Sequence, residues 1–210
     1  SFLTDDMIAI ITKRTYDLAA CTAGQCNVFL NDQKINIRSF EKYIDYFVGP
    51  ASQTPRAFER VSDRWEVGVC LNDSLTFTQI SFVNGILTSR GGKHVEYLAN
   101  QIAKKLAEVI LKKKKKTVKP NFIKENLMLF VKCTIDNPSF NSQTKEYLDT
   151  IASKFGSKCD LSKKFIEQAA KCGIMERALE LSNVKDNKDL KKTDGRKMNH
   201  LRGIPKLEDA

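Results

Sequence analysis

The sequence has no long apolar run. Its longest uninterrupted apolar stretches, such as residues 127–131, cover only a few positions, whereas a membrane-spanning helix needs about 20. We therefore predict no membrane helix. The first residues are acidic and lack the basic start that is typical of a signal peptide. The chain begins with Ser1 rather than Met, so we expect it to be an internal piece of a longer protein.

Clustered metal ligands and familiar catalytic motifs are also missing. The six cysteines include no C-x-x-C pair and there are only two histidines, so we expect no metal site. The Gly91-Gly92 pair has no partner glycine at the spacing of a phosphate-binding loop. There is no serine nucleophile elbow, no Cys/His pair, and no tyrosine preceded by arginine. We therefore expect the chain to act as part of a larger protein or assembly. Cys133 and Cys172 are predicted to be small core residues of a protein in a reducing compartment.

Positive charge is present, and it is unevenly placed. Residues 1–100 carry 10 Lys and Arg against 11 Asp and Glu, whereas residues 101–210 carry 25 against 14. This basic second half indicates a polyanionic partner, although a solubilising surface remains an open alternative.

The first 55 residues are predicted to contain two helices and a hairpin. Residues 4–20 have Thr4 as a cap and two aspartates in the first turn, which is typical of a helix start. A small hairpin is predicted around Asn31-Asp32, followed by a short helix over residues 40–47. Gly49-Pro50 breaks this helix, and we predict a linker and domain boundary between there and Pro55.

The remaining residues predict an α+β domain with helices on one sheet face. We expect a hairpin of strands 65–71 and 75–83, an amphipathic helix from Val95 to Val109, and a central strand over residues 126–136. Further helices are predicted over residues 161–171, with Asp160 as cap, and over residues 174–182. Residues 184–202, rich in Lys, Asp and Asn, are predicted to form an exposed linker.

Two segments could bind phosphate groups. The five consecutive lysines at positions 112–116 form an ammonium cluster that either binds nucleic-acid phosphates or simply ends a helix in solvent, and the run by itself leaves both readings open. Gln143 and Lys145, two residues apart after the predicted central strand, could reach one phosphate, or could belong to an ordinary surface loop.

Four blocks of sequence, in order, resemble the second domain of eukaryotic-type DNA topoisomerase II. A further stretch, Lys13–Ala19, looks like the last helix of that family's ATP-binding domain, so the resemblance covers nearly the whole chain. The four blocks are Gln79–Ile86, Thr88–Val95, Asn137–Glu146 and Gly203–Ala210.

The resemblance implies a domain organisation. Residues 1–50 would be the C-terminal part of a GHKL ATP-binding domain, 56–183 a transducer domain, and 184–210 a charged linker toward the DNA-cleavage core. The implied transducer is a mixed β-sheet with helices on one face and a left-handed βαβ crossover like that of a ribosomal-protein family, against the general right-handed preference. The family's adenine- and magnesium-binding motifs would lie before Ser1, and its acidic metal-binding domain and Arg-Tyr pair after Ala210.

The resemblance also implies an activity and site residues. The family's enzyme is an ATP-hydrolysing isomerase, a nuclear homodimer that passes one DNA duplex through a break in another. In it, the Gln-Thr-Lys loop, here Gln143, Thr144 and Lys145, contacts ATP, with Lys145 sensing the γ-phosphate. The family's lysine-rich loop lines the cavity that holds double-stranded DNA. Here it comprises Lys112, Lys113, Lys114, Lys115 and Lys116.

The segment alone is not expected to be catalytic. ATP and Mg would be bound mainly by the upstream domain, and we expect no cofactor in the isolated piece. Two alternatives remain open: a non-enzymatic nucleic-acid-binding module of similar fold, and a relative of the mismatch-repair ATPases. The first leaves the Gln143–Lys145 loop without a role, and the topoisomerase-like blocks argue against the second. Whether Arg90 and Lys93 contact DNA is left open by the sequence.

Overall fold

The computed structural model describes residues 2–74 and 76–184, and it begins with two helices and a hairpin as predicted. Helix α1 (Asp5–Cys21) starts where the Thr4 hydroxyl accepts a hydrogen bond from the Met7 amide. Strands β1 (Phe29–Leu30) and β2 (Gln33–Lys34) pair around a turn in which Asn31 and Asp32 both have positive φ, which these two residue types tolerate well. Helix α2 (Phe40–Val48) follows, with Ser39 as its cap.

A five-stranded mixed sheet forms the centre of the fold. Its strands are β3 (Arg56–Ser62), β4 (Trp65–Leu71), β5 (Thr78–Val83), β6 (Ile86–Leu87) and β8 (Leu127–Cys133), arranged in the order β3-β4-β8-β5-β6. Strand β8 is parallel to β5 and antiparallel to β4, so the predicted central strand is confirmed.

The predicted hairpin of residues 65–71 and 75–83 is wrong. Strand β8 lies between β4 and β5, and the other neighbour of β4 is β3, a strand that was not predicted. The intervening loop is closed locally, because the Asn72 side chain donates to the Thr76 carbonyl and the Thr78 hydroxyl, both at 2.6 Å. A short polar loop between two strands therefore did not imply that the strands pair.

The βαβ unit that joins β5 to β8 carries the longest helix. After β6 come β7 (Gly91–Gly92), helix α3 (Lys93–Lys114) and the short helix α4 (Pro120–Lys124), which has Pro120 at its start. Strand β9 (Tyr147–Leu148) pairs in parallel with β7. The left-handed sense of the connection from β5 through α3 to β8 stays a prediction.

The chain continues with a short helix and a longer one. Helix α5 (Lys163–Ala170) is followed by a helix over residues 174–184, here α6. The predicted cap of α5, Asp160, is wrong: Ser162 is the cap, and its hydroxyl accepts from the Phe165 amide at 3.1 Å. The linker over residues 184–202 and the block Gly203–Ala210 lie outside the described residues, apart from Val184.

The sheet has a separate apolar core on each face. Helices α3 to α6 cover one face, where Leu98 and Ile102 pack with alternate residues of β8 such as Leu129. Helices α1 and α2 cover the other, where Ile44 and Phe40 pack with Phe130. The mixed sheet and the α+β class match the prediction, and the helices after residue 92 share one face. The domain boundary near residues 49–55 stays a prediction.

Most cysteines are packed into these cores. Cys133 and Cys172 are buried, as predicted, and burial raises the pKa of the Cys172 thiol to about 11 and that of Cys133 well above its usual range. These thiols therefore stay protonated and serve as packing residues. Within the described part of the chain, no helix combines the length and the apolar character needed to span a membrane.

Candidate functional site

The segment between β8 and β9 carries the predicted phosphate-contacting residues. It does not turn immediately after β8 but is first fixed to the sheet. The Asn84 side chain exchanges two hydrogen bonds with the backbone of Ile135, at 2.9 and 3.0 Å, and Arg64 forms an ion pair with Asp136 at 2.5 Å. The loop therefore lies several residues farther from the central strand than predicted.

Gln143, Thr144 and Lys145 lie together on a tight turn, in which the first two residues are exposed and Lys145 is half-buried. The Lys145 amide donates to the Ser142 carbonyl at 3.1 Å, and Lys145 has a φ of 58°, in the left-handed region. The hydroxyls of Ser142 and Thr144 are hydrogen bonded to each other at 2.9 Å. Because the turn is closed by its own bonds, the side chains of Gln143 and Thr144 project into solvent.

The backbone joins this turn to the start of α3. Phe140 and Leu148 form an antiparallel bridge below the turn, and the Arg90 amide donates to the Glu146 carbonyl at 2.9 Å. Gly92 sits against Leu148 so closely that a Cβ on Gly92 would lie 2.4 Å from the Leu148 nitrogen. Gly92 also has a φ of 141°, which side-chain-bearing residues rarely adopt. Glycine at this position is therefore what lets β9 lie beside the first turn of α3.

A group of polar side chains makes a second connection between the same two elements. The Tyr147 hydroxyl donates to Glu96 at 2.7 Å, and the Lys93 ammonium pairs with the other oxygen of Glu96 at 3.0 Å. The hydrogen bonds from Tyr147 and Lys93 lower the pKa of Glu96, and the bond to Glu96 raises the pKa of Tyr147. Glu96 therefore stays ionised and Tyr147 stays protonated at neutral pH, which preserves the donor and the acceptor of the bond.

A buried polar chain supports the same end of α3 from inside. The Thr88 hydroxyl donates to the Ser81 carbonyl at 3.0 Å and lies 3.3 Å from Nε2 of His94. His94 is fully buried, and this burial lowers its pKa to about 3. Nδ1 of His94 has no hydrogen-bond partner among the described residues, so protonation of this ring would place an uncompensated charge in the core.

The lysine run lies at the opposite end of α3. Lys112, Lys113 and Lys114 form the last turn of the helix, where cations are favoured by the helix dipole. Lys115 ends the helix in the left-handed conformation, and its amide donates to the Leu111 carbonyl at 3.1 Å. All five lysines, Lys112 to Lys116, are exposed. The structure thus separates the two predicted sites by the length of a 22-residue helix, about 33 Å at about 1.5 Å per residue.

Lys145 has the chemistry that a phosphate contact needs. Its ammonium group makes no ion pair or hydrogen bond with any residue in the described ranges 2–74 and 76–184, in contrast to Lys93, which is paired with Glu96. An ammonium without a carboxylate partner can bind a phosphate without first breaking an internal ion pair. Over the same ranges there is no group of three His, Cys, Asp or Glu side chains that could hold a metal ion.

The two connections between the turn and α3 were not predicted. Gly91-Gly92, which lacks the glycine spacing of a phosphate-binding loop, is the partner strand of Tyr147–Leu148. The close spacing of Tyr147 to Lys145 was a signal in the sequence, but Glu96 lies 51 residues away along the chain from Tyr147. The Arg90 amide and the Lys93 ammonium are both used within this connection.

The chain matches a family model over most of its length. Residues 30–197 match the model described as DNA gyrase B. The chain belongs to the DNA gyrase B family. A curated member, DNA topoisomerase 2 of Bombyx mori, is 43% identical over 215 residues, which is 99% of this chain but 14% of that relative. The chain therefore spans a small part of the length of this relative.

Solved structures from this family share the fold. The ATPase and transducer domains of DNA topoisomerase II from Balamuthia mandrillaris match with a TM-score of 0.79 and 37% identity, over 88% of this chain and 46% of that one. The ATPase region of topoisomerase II from Saccharomyces cerevisiae matches with a TM-score of 0.76 and 38% identity, over 85% of this chain and 46% of that one. The resemblance to eukaryotic-type topoisomerase II and the α+β fold class are thereby confirmed.

Proposed function

We propose that this chain is the transducer segment of an ATP-dependent type II DNA topoisomerase, which couples ATP binding and hydrolysis at an N-terminal gate to the passage of double-stranded DNA. The observation that carries the proposal is the turn bearing Gln143 and Lys145, whose ammonium has no ion-pair partner among the described residues. The adjoining strand β9 is held by Gly92 and Glu96 to the start of the helix that ends in the lysine run. Family membership and the similarity to DNA topoisomerase 2 of Bombyx mori support it.

In this proposal the turn reports the state of the nucleotide. Lys145 and Gln143 would contact the γ-phosphate of ATP, which with Mg would be held mainly by an upstream domain, and Thr144 would lie between them at the same site. Lys145 loses its partner when the γ-phosphate leaves. The transducer would then rotate relative to the ATP-binding domain, and α3 would carry the change toward the bound DNA.

The energetics require more than one such turn. A hydrogen bond to a charged group contributes about 1.5–3 kcal/mol, whereas moving a two-state equilibrium from 1:99 to 99:1 needs about 5.5 kcal/mol. Two copies of the turn in a homodimer, together with other nucleotide contacts, could supply that difference. We therefore propose that the full enzyme is a homodimer. We also propose that it acts in the nucleus, which its similarity to eukaryotic relatives such as that of Bombyx mori supports.

Lys112 to Lys116 would contact DNA in this proposal. Lysine is a point charge without base-reading geometry, so the contact should be independent of base sequence. If all five lysines neutralised duplex phosphates, the logarithm of the binding constant would fall with the logarithm of salt concentration at a slope of about −4.5. Their exposure at the end of α3 leaves each of them accessible to a duplex.

Replacing Lys145→Ala in the full-length protein tests the nucleotide contact. We expect a large loss of ATP turnover with DNA cleavage retained, because cleavage depends on a different part of the enzyme. Lys158→Ala, which removes an exposed lysine from another loop, is the matched control and should leave turnover unchanged. Normal ATPase kinetics for Lys145→Ala would contradict the proposed nucleotide contact.

The DNA contact has a separate test. Replacing Lys112 to Lys116 by Ala should weaken DNA binding and flatten its salt dependence, measured by titration with a labelled duplex between 50 and 200 mM salt, a range over which a slope near −4.5 corresponds to a loss of about several hundredfold. Replacing Lys154, Lys158 and Lys171, exposed lysines outside α3, is the control. An unchanged slope in the first variant would show that the run is only a solvated helix end.

A further inference from the structure

We propose that Tyr147 is a positioning residue for Lys145: by hydrogen bonding to Glu96 it holds the turn of Ser142 to Lys145 at a fixed place relative to α3. Tyr147 would not touch the nucleotide itself. The inference rests on the proposed function, since it assigns to Lys145 the phosphate contact described above.

The geometry shows that both oxygens of one carboxylate are used in this connection. Oε1 of Glu96 accepts from the Tyr147 hydroxyl at 2.7 Å, while Oε2 lies 3.0 Å from the Lys93 ammonium. Lys93 and Glu96 are three residues apart on one side of α3, where such pairs are neighbours. The ion pair with Lys93 thus orients the Glu96 carboxylate to accept the hydrogen bond from Tyr147.

The backbone connection leaves a freedom that this side-chain bond removes. The turn stands on a short stem: strands β7 and β9 have two residues each, Phe140 and Leu148 form a bridge, and the Arg90 amide donates to the Glu146 carbonyl. A stem this short can pivot, because few hydrogen bonds fix its angle to the helix. Tyr147 lies two residues from Lys145, and its hydroxyl joins this stem to Glu96 of α3, which fixes the stem at a second point.

The helix at the other end of this bond is itself held firmly. Val95, one residue from Glu96, is buried, as are Leu98 and Ile102 along the same helix. Because Tyr147 is bonded to this helix, the turn next to it has less freedom to move. Lys145 therefore loses less conformational entropy when it binds a phosphate. Loss of the Tyr147 hydroxyl should therefore weaken the action of Lys145 while leaving the lysine intact.

The experiment compares steady-state ATP hydrolysis by variants of the full-length protein. Tyr147→Phe keeps the ring and removes only the donor, and we expect kcat/KM for ATP to fall about three- to tenfold, as for one exposed hydrogen bond to a charged group. Glu96→Ala should show a similar loss. Glu96→Gln keeps an oxygen that can accept from Tyr147, and should recover most of the activity. Lys93→Ala, which removes the ion pair but not the Tyr147 bond, should have the smallest effect.

A double variant distinguishes positioning from a general structural role. If Tyr147 acts through Lys145, Tyr147→Phe should cause no further loss in a Lys145→Ala background, whereas an independent structural effect would multiply the two losses. Multiplying losses, or wild-type kinetics for Tyr147→Phe beside an impaired Lys145→Ala, would overturn the inference and leave the proposed function standing. Normal kinetics for Lys145→Ala alone would overturn both.

Discussion

The two ends of helix α3 are built on opposite principles. At its start, Gly92 contacts Leu148, His94 is buried beneath Thr88, and Glu96 accepts a hydrogen bond from Tyr147. At its end, exposed lysines complete the last turn and Lys115 adopts a left-handed conformation. The first end depends on residues that are distant in sequence, whereas the second depends on charge and on backbone geometry within a few residues.

This difference separates a constraint of tertiary structure from a local one. Substitutions at the start of α3 should disturb the position of the turn that carries Lys145, because β9, which follows the turn, pairs with Gly91-Gly92 and bonds to Glu96 at this end of the helix. Substitutions at the end should alter the surface charge with little effect on folding, since exposed lysines at a helix end contribute only tenths of a kcal/mol to about 1 kcal/mol each. The following predictions test that contrast.

Gly92→Ala should give the largest effect. Its Cβ would lie 2.4 Å from the nitrogen and 2.5 Å from the oxygen of Leu148, so β9 must move away and the strained φ adds about 1–3 kcal/mol. We expect the free energy of unfolding to fall by about 3 kcal/mol or more, measured by urea denaturation.

Gly85→Ala is the matched control for that change. Gly85 also has a positive φ, of 78°, but a Cβ there would meet nothing within 4 Å. Its cost should be limited to backbone strain, about 1–2 kcal/mol. Equal losses for Gly85→Ala and Gly92→Ala would mean that the contact with Leu148 is not what makes Gly92 necessary.

Because His94 is buried, we expect the chain to lose stability in mild acid. Its pKa is lowered to about 3 in the folded chain, whereas an exposed histidine has a pKa of about 6.5. The unfolded chain therefore binds the proton first, and stability that is complete above pH 6.5 declines as the pH falls toward 3, at up to about 1.4 kcal/mol per pH unit. The window between pH 5 and 6.5 is the informative one, because carboxylates titrate below it.

The measurement compares chemical unfolding of the parent chain and of His94→Leu across that window. The variant should lose most of the dependence on pH, whatever its stability at pH 7. An equally steep decline in both proteins would show that His94 is not the group that takes up the proton.

Lys115→Gly should give the smallest effect, and of opposite sign. A left-handed conformation costs a lysine about 1–2 kcal/mol, whereas glycine adopts it freely but loses more entropy on folding. We expect a gain of about 0.5 kcal/mol in the free energy of unfolding, seen as a higher urea midpoint with an unchanged slope. A loss of stability would indicate that the Lys115 side chain makes a contact that the helix end needs.

Local features of the fold could be predicted well from the sequence. Thr4 caps α1, the Asn31-Asp32 turn connects β1 to β2, and β8 is central with both faces apolar. Each of these follows from residue types within a few positions, because capping, left-handed turns and two-sided burial leave a pattern in the chain itself.

Strand pairing could not be predicted in the same way. The loop after Leu71 has the composition of a hairpin turn, yet β8, which starts 56 positions after that residue, occupies the place beside β4. Strand β3 leaves little pattern in the sequence because Ala57 is its one buried residue and charged residues such as Glu59 interrupt its apolar positions. The cap of α5 is Ser162 rather than Asp160, since the helix begins two residues later than its apolar pattern suggested.

The candidate site divides along the same line. The residue types of Gln143, Thr144 and Lys145, and of the lysine run Lys112 to Lys116, are visible in the sequence because charge and donor groups are properties of single residues. That β9, which follows the turn, contacts Gly92 through Leu148 and bonds to Glu96 through Tyr147 was decided only when folding brought these segments together. Contacts between residues some 50 positions apart depend on the global packing of the chain, and no local pattern encodes them.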